Sequence, residues 1–594
     1  MAISRHLTRL SSLVINRYVI LITILLTYTG ILQNYGGLPS FSGAWRFEIP
    51  LILYLYFYLN TILRPTRWQP LLAAAPLVLI YVGFDIYFIL FGRLPHITEV
   101  TELPEMFEVL PVAIDILVVL IVASPMALIV ASIDYKKTRA LLLGALPLTA
   151  IVANIEVAPE SFMEAFKETQ LEIIFYSDAH STRNVGRLGM MLYNEARRKS
   201  YLQKIAAYRD NARYREQFNS AADSVKAQKD KRNVHLIVLE SFLDPSLIKG
   251  AQFTPSPVDP GFDKLFHNKS GFSIAPVFAG GTAQSEFEVL CGVPALRELS
   301  GIEFNVFTGT KTYCLPHLLS QGGYQTTVTN SFVPDFYNST NAYAGIGFDK
   351  IYFPQEYAVA RDTYFSNGDV TDEMYIFDGV LLSQNLAYIS KQIKEQKDTP
   401  IFNYILSIYG HTPHGINTDK RPKVITVDSS LKDEQLTNSI NQFHYRTKAI
   451  AEYINALIQV DPKSLIILVS DHLPALTYGP NSYKELQYLD GGEEAIHMNR
   501  IYIIEDGVAT QYNTIHHYDI PRIVLNYITK GEYCQGHACT FKTTPDSINT
   551  ATYRDEYMTI MAEAMGGCEP PPPQTGSDHD EDDTPAQPNP QPGA

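Results

Sequence analysis

At roughly 100–200 residues per domain, a chain of 594 residues holds two to four folded units. Its formal net charge is −15 and no basic stripe with interleaved aromatics runs along it, which excludes a nucleic acid as partner. Composition divides the chain in two, a strongly apolar stretch over residues 1–155 and an ordinary globular mixture after it.

In the apolar stretch, runs near 13–33, 48–64, 70–92, 112–133 and 139–155 predict a membrane anchor of five helices. The second is short and the fifth is interrupted by Pro147. The first reads as an uncleaved span, because it is long, lacks a small-residue cleavage site and is followed by more spans. Basic residues collect on alternate sides: Arg5 and Arg9 before the first span, Arg64 and Arg67 after the second, Lys136, Lys137 and Arg139 after the fourth. That bias marks the cytoplasmic side. Everything beyond residue 155 is therefore expected outside the cytoplasm. Asp85 and Asp115 fall within spans, where a charge is costly. Each is expected near a span end or facing a polar groove between helices.

Residues 156–231 read as a helical connector with Arg197, Arg198, Lys199, Lys204, Arg209, Arg213 and Arg215 among apolar positions. Such a segment lies along anionic headgroups or packs against the next domain. Residues 568–594, with Pro570–Pro573 followed by acids, cannot bury a core and are expected to be disordered.

Between them, residues 232–567 alternate short apolar runs with amphipathic ones. The runs Val234–Leu239, Thr326–Thr329, Ile401–Ile408, Leu465–Val469 and Ile501–Ile504 predict buried strands. The stretches Gln284–Leu290, Leu315–Gln321 and Tyr445–Ile458 predict helices. This alternation points to an α/β, doubly wound sheet, whose ligands bind at the carboxyl ends of the strands. Glu240 follows the first predicted strand and Ser470-Asp471-His472 follows a late one. Gly280-Gly281-Thr282 opens a helix, where free N–H groups and a partial positive charge suit a phosphate. Glu240, Asp471 and His472, with the Thr282 hydroxyl, make a four-coordinate N/O set for one divalent ion, manganese or zinc, with magnesium as a further option. Thr282 is then the expected nucleophile. His411, in Gly410-His411-Thr412-Pro413-His414 after another strand, is placed to move a proton or bind the phosphate.

Five cysteines are present, none in a C-x-x-C pair, so a ribbon-type zinc site is not expected. In an oxidising compartment Cys534 is expected to pair with Cys539 and Cys291 with Cys314; five free thiols is the alternative, since spacing does not fix connectivity.

The order and spacing of these motifs resemble the lipoteichoic acid synthase family, phosphoglycerol transferases of the alkaline phosphatase/sulfatase superfamily. The family's T-x-x-x-E-F matches Thr282 to Phe287, its H-x-P matches His411 to Pro413, and its Phe-Trp-Asn-Arg resembles Phe336-Tyr337-Asn338-Ser339. The resemblance implies a sulfatase-like sandwich and metal ligation by Glu240, Thr282, Asp471 and His472. It also implies substrate contacts from Tyr337, Asn338, His414 and Glu286. Ser339 stands where the family has Arg, and Tyr337 where it has Trp, which leaves the donor head group open. The surroundings of Cys291 and Cys314 look more like Gram-negative relatives that decorate glycans. The implied activity is transfer of phosphoglycerol from a membrane phospholipid, phosphatidylglycerol by preference, to a glycan acceptor through a phospho-threonine. The alternatives are phosphoethanolamine transfer, phosphodiester hydrolysis, and a non-catalytic membrane sensor or scaffold. A sulfatase would need Cys or Ser in C-x-P-x-R, and Cys314-Leu315-Pro316-His317-Leu318 lacks the Arg.

Overall fold

The computed structural model describes residues 16–91, 94–102, 112–169, 178–266, 269–358, 362–368, 375–396, 398–537, 539, 541 and 550–566. The tail expected over 568–594, Cys568, Arg5 and Arg9 lie outside the described residues.

Among the described residues five apolar helices come first: α1 Arg17–Leu32, α2 Glu48–Ile62, α3 Gln69–Phe91, α4 Val112–Ser132 and α5 Thr138–Val157. All but α2 are long and apolar enough to cross a membrane. At 1.5 Å per residue, α2 is about 22 Å long, shorter than a hydrocarbon core of about 30 Å. Neighbours make up for that. Tyr54 and Tyr58 donate to the Gly144 and Leu141 carbonyls of α5, and Lys137 Nζ donates to the Thr61 and Leu63 carbonyls at the open end of α2. Pro147 does not break α5, which runs through it; inside a bundle the backbone groups a proline frees can be met by neighbours. The chain is thus a multi-pass membrane protein. Arg64, Arg67, Lys136, Lys137 and Arg139 gather at one end of the bundle, so the α/β domain, which follows α5 at the other end, lies outside the cytoplasm.

The α/β domain is built on one mixed sheet. Its strands are β1 Val234–Leu239, β3 Gly271–Ile274, β4 Gln325–Asn330, β5 Lys350–Tyr352, β6 Ile401–Leu406, β8 Leu465–Ser470, β9 Met498–Glu505, β10 Val508–Thr510 and β11 Ile515–His516. They lie in the order β11-β3-β9-β8-β1-β6-β4-β5, with β10 on β9. From β5 to β8 the strands are parallel; β9 runs against both β8 and β3. A separate ribbon pairs β2 Ala251–Thr254 with β7 Thr426–Ser429. The period of two in a strand divides β1 between two cores. Val234, Leu236 and Val238 meet the helices Thr282–Cys291 and Leu315–Gln321, whereas Ile237 and Leu239 meet Asp378–Glu395 and Glu434–Val460. With both faces covered, the central strands are buried at every position.

The connector packs against both parts. Phe218, Ala221, Ala222 and Val225 of the helix Ala212–Ala227 enter the core of the α/β domain. The helix Arg187–Lys204 starts inside the membrane bundle. Its first three N–H groups, which have no partner within the helix, donate to the buried carboxylate of Glu48. Tyr81 donates to the same carboxylate at 2.6 Å. The Arg187 guanidinium pairs with Asp85 at 2.6 Å, both side chains fully buried. Asp85 thus faces the bundle interior with a cation beside it, and Asp115 sits in the first turn of α4, where the helix dipole favours an acid.

Removing one member of a buried pair leaves a charge without compensation and costs about 3–5 kcal/mol, whereas replacing both by apolar groups is near neutral. Arg187→Met is therefore expected to lower the thermal stability of the detergent-solubilised chain sharply, and Asp85→Leu in the same molecule to recover most of it. Wild-type stability in the single variant would mean that the pair does not hold the connector.

Candidate active site

β1 and β8 are adjacent and parallel, with Leu239 opposite Ser470, so the next residues, Glu240 and Asp471, leave neighbouring strands at the same edge. The chain reaches them from a third direction at Thr282. Ala279, Gly280 and Gly281 take φ values of 60°, 150° and 84°, and Gly281 caps the helix that Thr282 begins. Left-handed backbone there favours glycine. The Thr282 hydroxyl consequently stands 2.9 Å from Asp471 Oδ2, 3.1 Å from Glu240 Oε2 and 3.4 Å from His472 Nε2. Ligand atoms of Glu240, Asp471 and His472 lie within 4.8 Å of one another, and all three residues are buried.

Four serines hold these groups. Ser241 donates through its N–H to Asp471 Oδ1 and through Oγ to Glu240 Oε1. The Glu240 N–H donates to Ser407 Oγ, Ser285 donates to the Asp471 carbonyl, and Ser470 donates to the His472 carbonyl. Ser241 and Ser470 adjoin the acids Glu240 and Asp471 in sequence, whereas no sequence signal marks Ser285 and Ser407. Burial and the Glu240 charge push Asp471 up to about 7. Burial opposes the charged form of His472, but the Asp471 and Glu240 carboxylates outweigh it and raise the ring. The carboxyl of Asp471 and the ring of His472 are thus both pushed toward their protonated forms. His472 Nδ1 lies 3.0 Å from the Leu473 carbonyl, which fixes a tautomer with Nε2 facing the carboxylates. This donor set fits one divalent cation, with Thr282 Oγ1 as the remaining oxygen.

His411 follows β6 at the same edge of the sheet. Its Nδ1 is 2.7 Å from the Thr412 carbonyl and 3.2 Å from the Tyr375 hydroxyl, and burial lowers it to about 4. It is therefore neutral near pH 7, with the proton on Nδ1. His414 lies deeper, with Nε2 against the Ala475 carbonyl and Nδ1 without a protein partner. Glu286, one turn beyond Thr282, is not open to substrate: it is 2% exposed and its Oε1 accepts from the Tyr343 and Tyr404 hydroxyls at 2.7 and 2.8 Å. Burial raises it to about 8 despite those bonds, with the Asp471 and Glu240 charges adding to the effect. Asn338 donates to the Phe304 and Phe307 carbonyls, so its amide braces a loop. Its neighbour Tyr337 shares its left-handed backbone, and Ser339 is buried on the Phe336 carbonyl, supplying no cation there. Cys291, at the far end of the Thr282 helix, is bonded to Cys314, and Cys534 to Cys539.

A model of the sulfatase family matches residues 232–528, half of the chain, and the chain belongs to that family. No curated protein matches it. Among solved structures, the fold is similar to the phosphoglycerol transferase of Streptococcus pyogenes in complex with sn-glycerol-1-phosphate, at 16% identity over 59% of this chain and 91% of that one, TM-score 0.45. It is also similar to a lipoteichoic acid synthase of Listeria monocytogenes, at 20% identity over 52% and 77%, TM-score 0.39. A third is the C-terminal periplasmic domain of EptC from Escherichia coli in complex with zinc, at 12% identity over 47% and 73%, TM-score 0.30.

A cation must displace the proton that Asp471 holds up to about 7. Calorimetric titration of the metal-free chain with Mn²⁺ is expected to give an affinity about tenfold weaker at pH 6 than at pH 8; an affinity independent of pH would place the ion elsewhere. Glu286 supplies a second pH effect. Its folded value of about 8 lies above the ordinary 4.5, so its contribution to stability is complete below 4.5 and is lost as pH rises through 8. Glu286→Gln lacks that loss. Its melting temperature relative to wild type, both metal-free, should climb between pH 5 and about 8; a constant difference would show that Glu286 is already ionised.

Proposed function

We propose that this protein is a metal-dependent phosphotransferase that moves phosphoglycerol from a membrane phospholipid, most simply phosphatidylglycerol, to a hydroxyl of a glycan. Residues 232–567 form the catalytic unit, 156–231 the connector and 1–155 the anchor. The observation that carries the reading is the hydroxyl of Thr282 at the start of a helix, within 3.1 Å of two buried carboxylates. A threonine there is a nucleophile without the modification a sulfatase needs. Glu240, Thr282, Asp471 and His472 would hold one manganese or zinc ion, or magnesium. Bound there, it would favour the threonine alkoxide and polarise a phosphoryl oxygen.

The chain's own groups then divide the work. The helix N-terminus at Thr282 directs N–H groups at the phosphate. Thr282 Oγ1 attacks phosphorus, the bond to diacylglycerol breaks, and the hydroxyl proton passes by way of the neighbouring carboxylates to the departing alkoxide. Phosphoglycerol remains on Thr282. In the second half a sugar hydroxyl attacks phosphorus, its proton is taken by Nε2 of neutral His411, the bond to Thr282 Oγ1 breaks, and that proton is passed on to Thr282 Oγ1, which leaves His411 neutral again. Of the expected substrate contacts, those of Tyr337 and His414 are kept in this reading, and Asn338 and Glu286 take bracing roles instead.

Vesicles carrying labelled phosphatidylglycerol or phosphatidylethanolamine test the proposal. The wild-type chain with Mn²⁺ should release diacylglycerol from one of them, and Thr282→Ala should lose at least about 10³-fold, the scale for a removed nucleophile. The mass of the adduct trapped on Thr282 separates glycerol from ethanolamine as the retained head group. Comparable turnover by the variant would remove Thr282 from the chemistry.

A further inference from the structure

The outer end of α3 has no part in the reaction as written, yet it touches the loop that delivers the nucleophile. A Cβ placed on Gly280 would lie 3.4 Å from Cε1 of Phe91, so the backbone two residues before Thr282 faces that ring at close range. Phe91 itself leans on Tyr87, one turn earlier in α3, with ring centroids 4.7 Å apart. It also packs against the buried cluster that includes Phe278, Ala279, Leu473 and Leu476. Phe278 and Ala279 lead into Thr282, and Leu473 directly follows His472. One membrane-borne ring therefore faces the loop that leads into Thr282 and packs on the cluster to which Leu473 belongs.

Further contacts fix this arrangement. A side chain at Gly479 would collide with the Ile89 carbonyl of α3. Asn481 donates to the Tyr35 carbonyl beyond α1, and the Gly301 N–H donates to Thr98 Oγ1 in the segment after α3. The loop needs such a support. Three consecutive residues with positive φ, one of them an alanine, hold that shape only when the surroundings over-determine it. The helix that follows restrains one side of the loop, and the ring of Phe91 meets it from the membrane side.

We propose that Phe91 is a positioning residue. It holds the Ala279–Gly281 loop, and through it the Thr282 hydroxyl, against Glu240 and Asp471. This rests on the reading of Thr282 as nucleophile. It makes the end of a membrane helix part of the active site, so the anchor sets the geometry of the reaction as well as its location.

The test uses the full chain in lipid nanodiscs as wild type, Phe91→Ala, Phe91→Leu and Thr282→Ala. Hydrogen exchange over residues 277–284 of the metal-free chain reports the loop directly. Turnover of the water-soluble diester bis(p-nitrophenyl) phosphate with Mn²⁺ reports the chemistry without any lipid contact. Phe91→Ala is expected to exchange faster over that loop, and to lower kcat by up to about 10²-fold at a KM within about twofold of wild type, since a small misplacement of a reacting group costs that much. Phe91→Leu should restore most of both. Unchanged exchange in Phe91→Ala overturns the proposal, as does unchanged kcat, or a loss confined to KM. An inactive Thr282→Ala beside a fully active Phe91→Ala would leave the nucleophile standing and remove Phe91. An active Thr282→Ala would remove the nucleophile, and exchange would still decide whether Phe91 holds the loop.

Discussion

Two like charges are forced together at the centre of this molecule. The parallel pairing of β1 with β8 sets Leu239 opposite Ser470, and the residues that follow are both acids, buried within reach of one threonine hydroxyl. Buried carboxylates in contact repel unless a proton or a cation lies between them. Much of the surrounding architecture answers that constraint. Serine side chains and backbone N–H groups take up the outer lone pairs, the orientation of His472 turns its Nε2 inward, and the helix at Thr282 brings the positive end of its dipole to the same point.

The same principle recurs at the membrane. Glu48 and Asp85 are acids inside an apolar bundle, and both are met by one connector helix, through its first N–H groups and through Arg187. The connector is thereby keyed into the bundle at one end, while the helix after it packs into the α/β core at the other. Together with the contacts of α3 at Gly280 and Gly479, this packs the anchor against the outer domain. An α/β domain seated this way is held against the outer end of the bundle.

Motifs at strand ends were readable because their chemistry is local. Glu240, Asp471 and His472 follow runs that read as strands and Thr282 opens one that reads as a helix, and sheets of this class bring such ends together at one edge. The central strands β1, β6 and β8 were legible as mostly apolar runs, and β4 as a β-branched one. The short strands β3, β5, β10 and β11 were not, since two to four residues carry too little periodicity to stand out. Pro147 misled for a related reason: its propensity argues for a break that neighbouring helices in a bundle make unnecessary. Glu286 and Asn338 were expected against substrate, and only packing shows them turned onto tyrosine hydroxyls and loop carbonyls.

By itself the sequence determined the class of the two parts, the side of the membrane on which the second lies, and the residue types for one metal cluster. These follow from hydropathy, charge bias and the order of motifs, which are properties of the chain read in one dimension. Tertiary structure alone decided the partners. Asp85 met Arg187, Glu48 met a helix start 139 residues away, and Phe91 met the loop before Thr282. Burial makes those pairings strong, and burial is set by which distant segments pack together, a quantity that no local pattern contains.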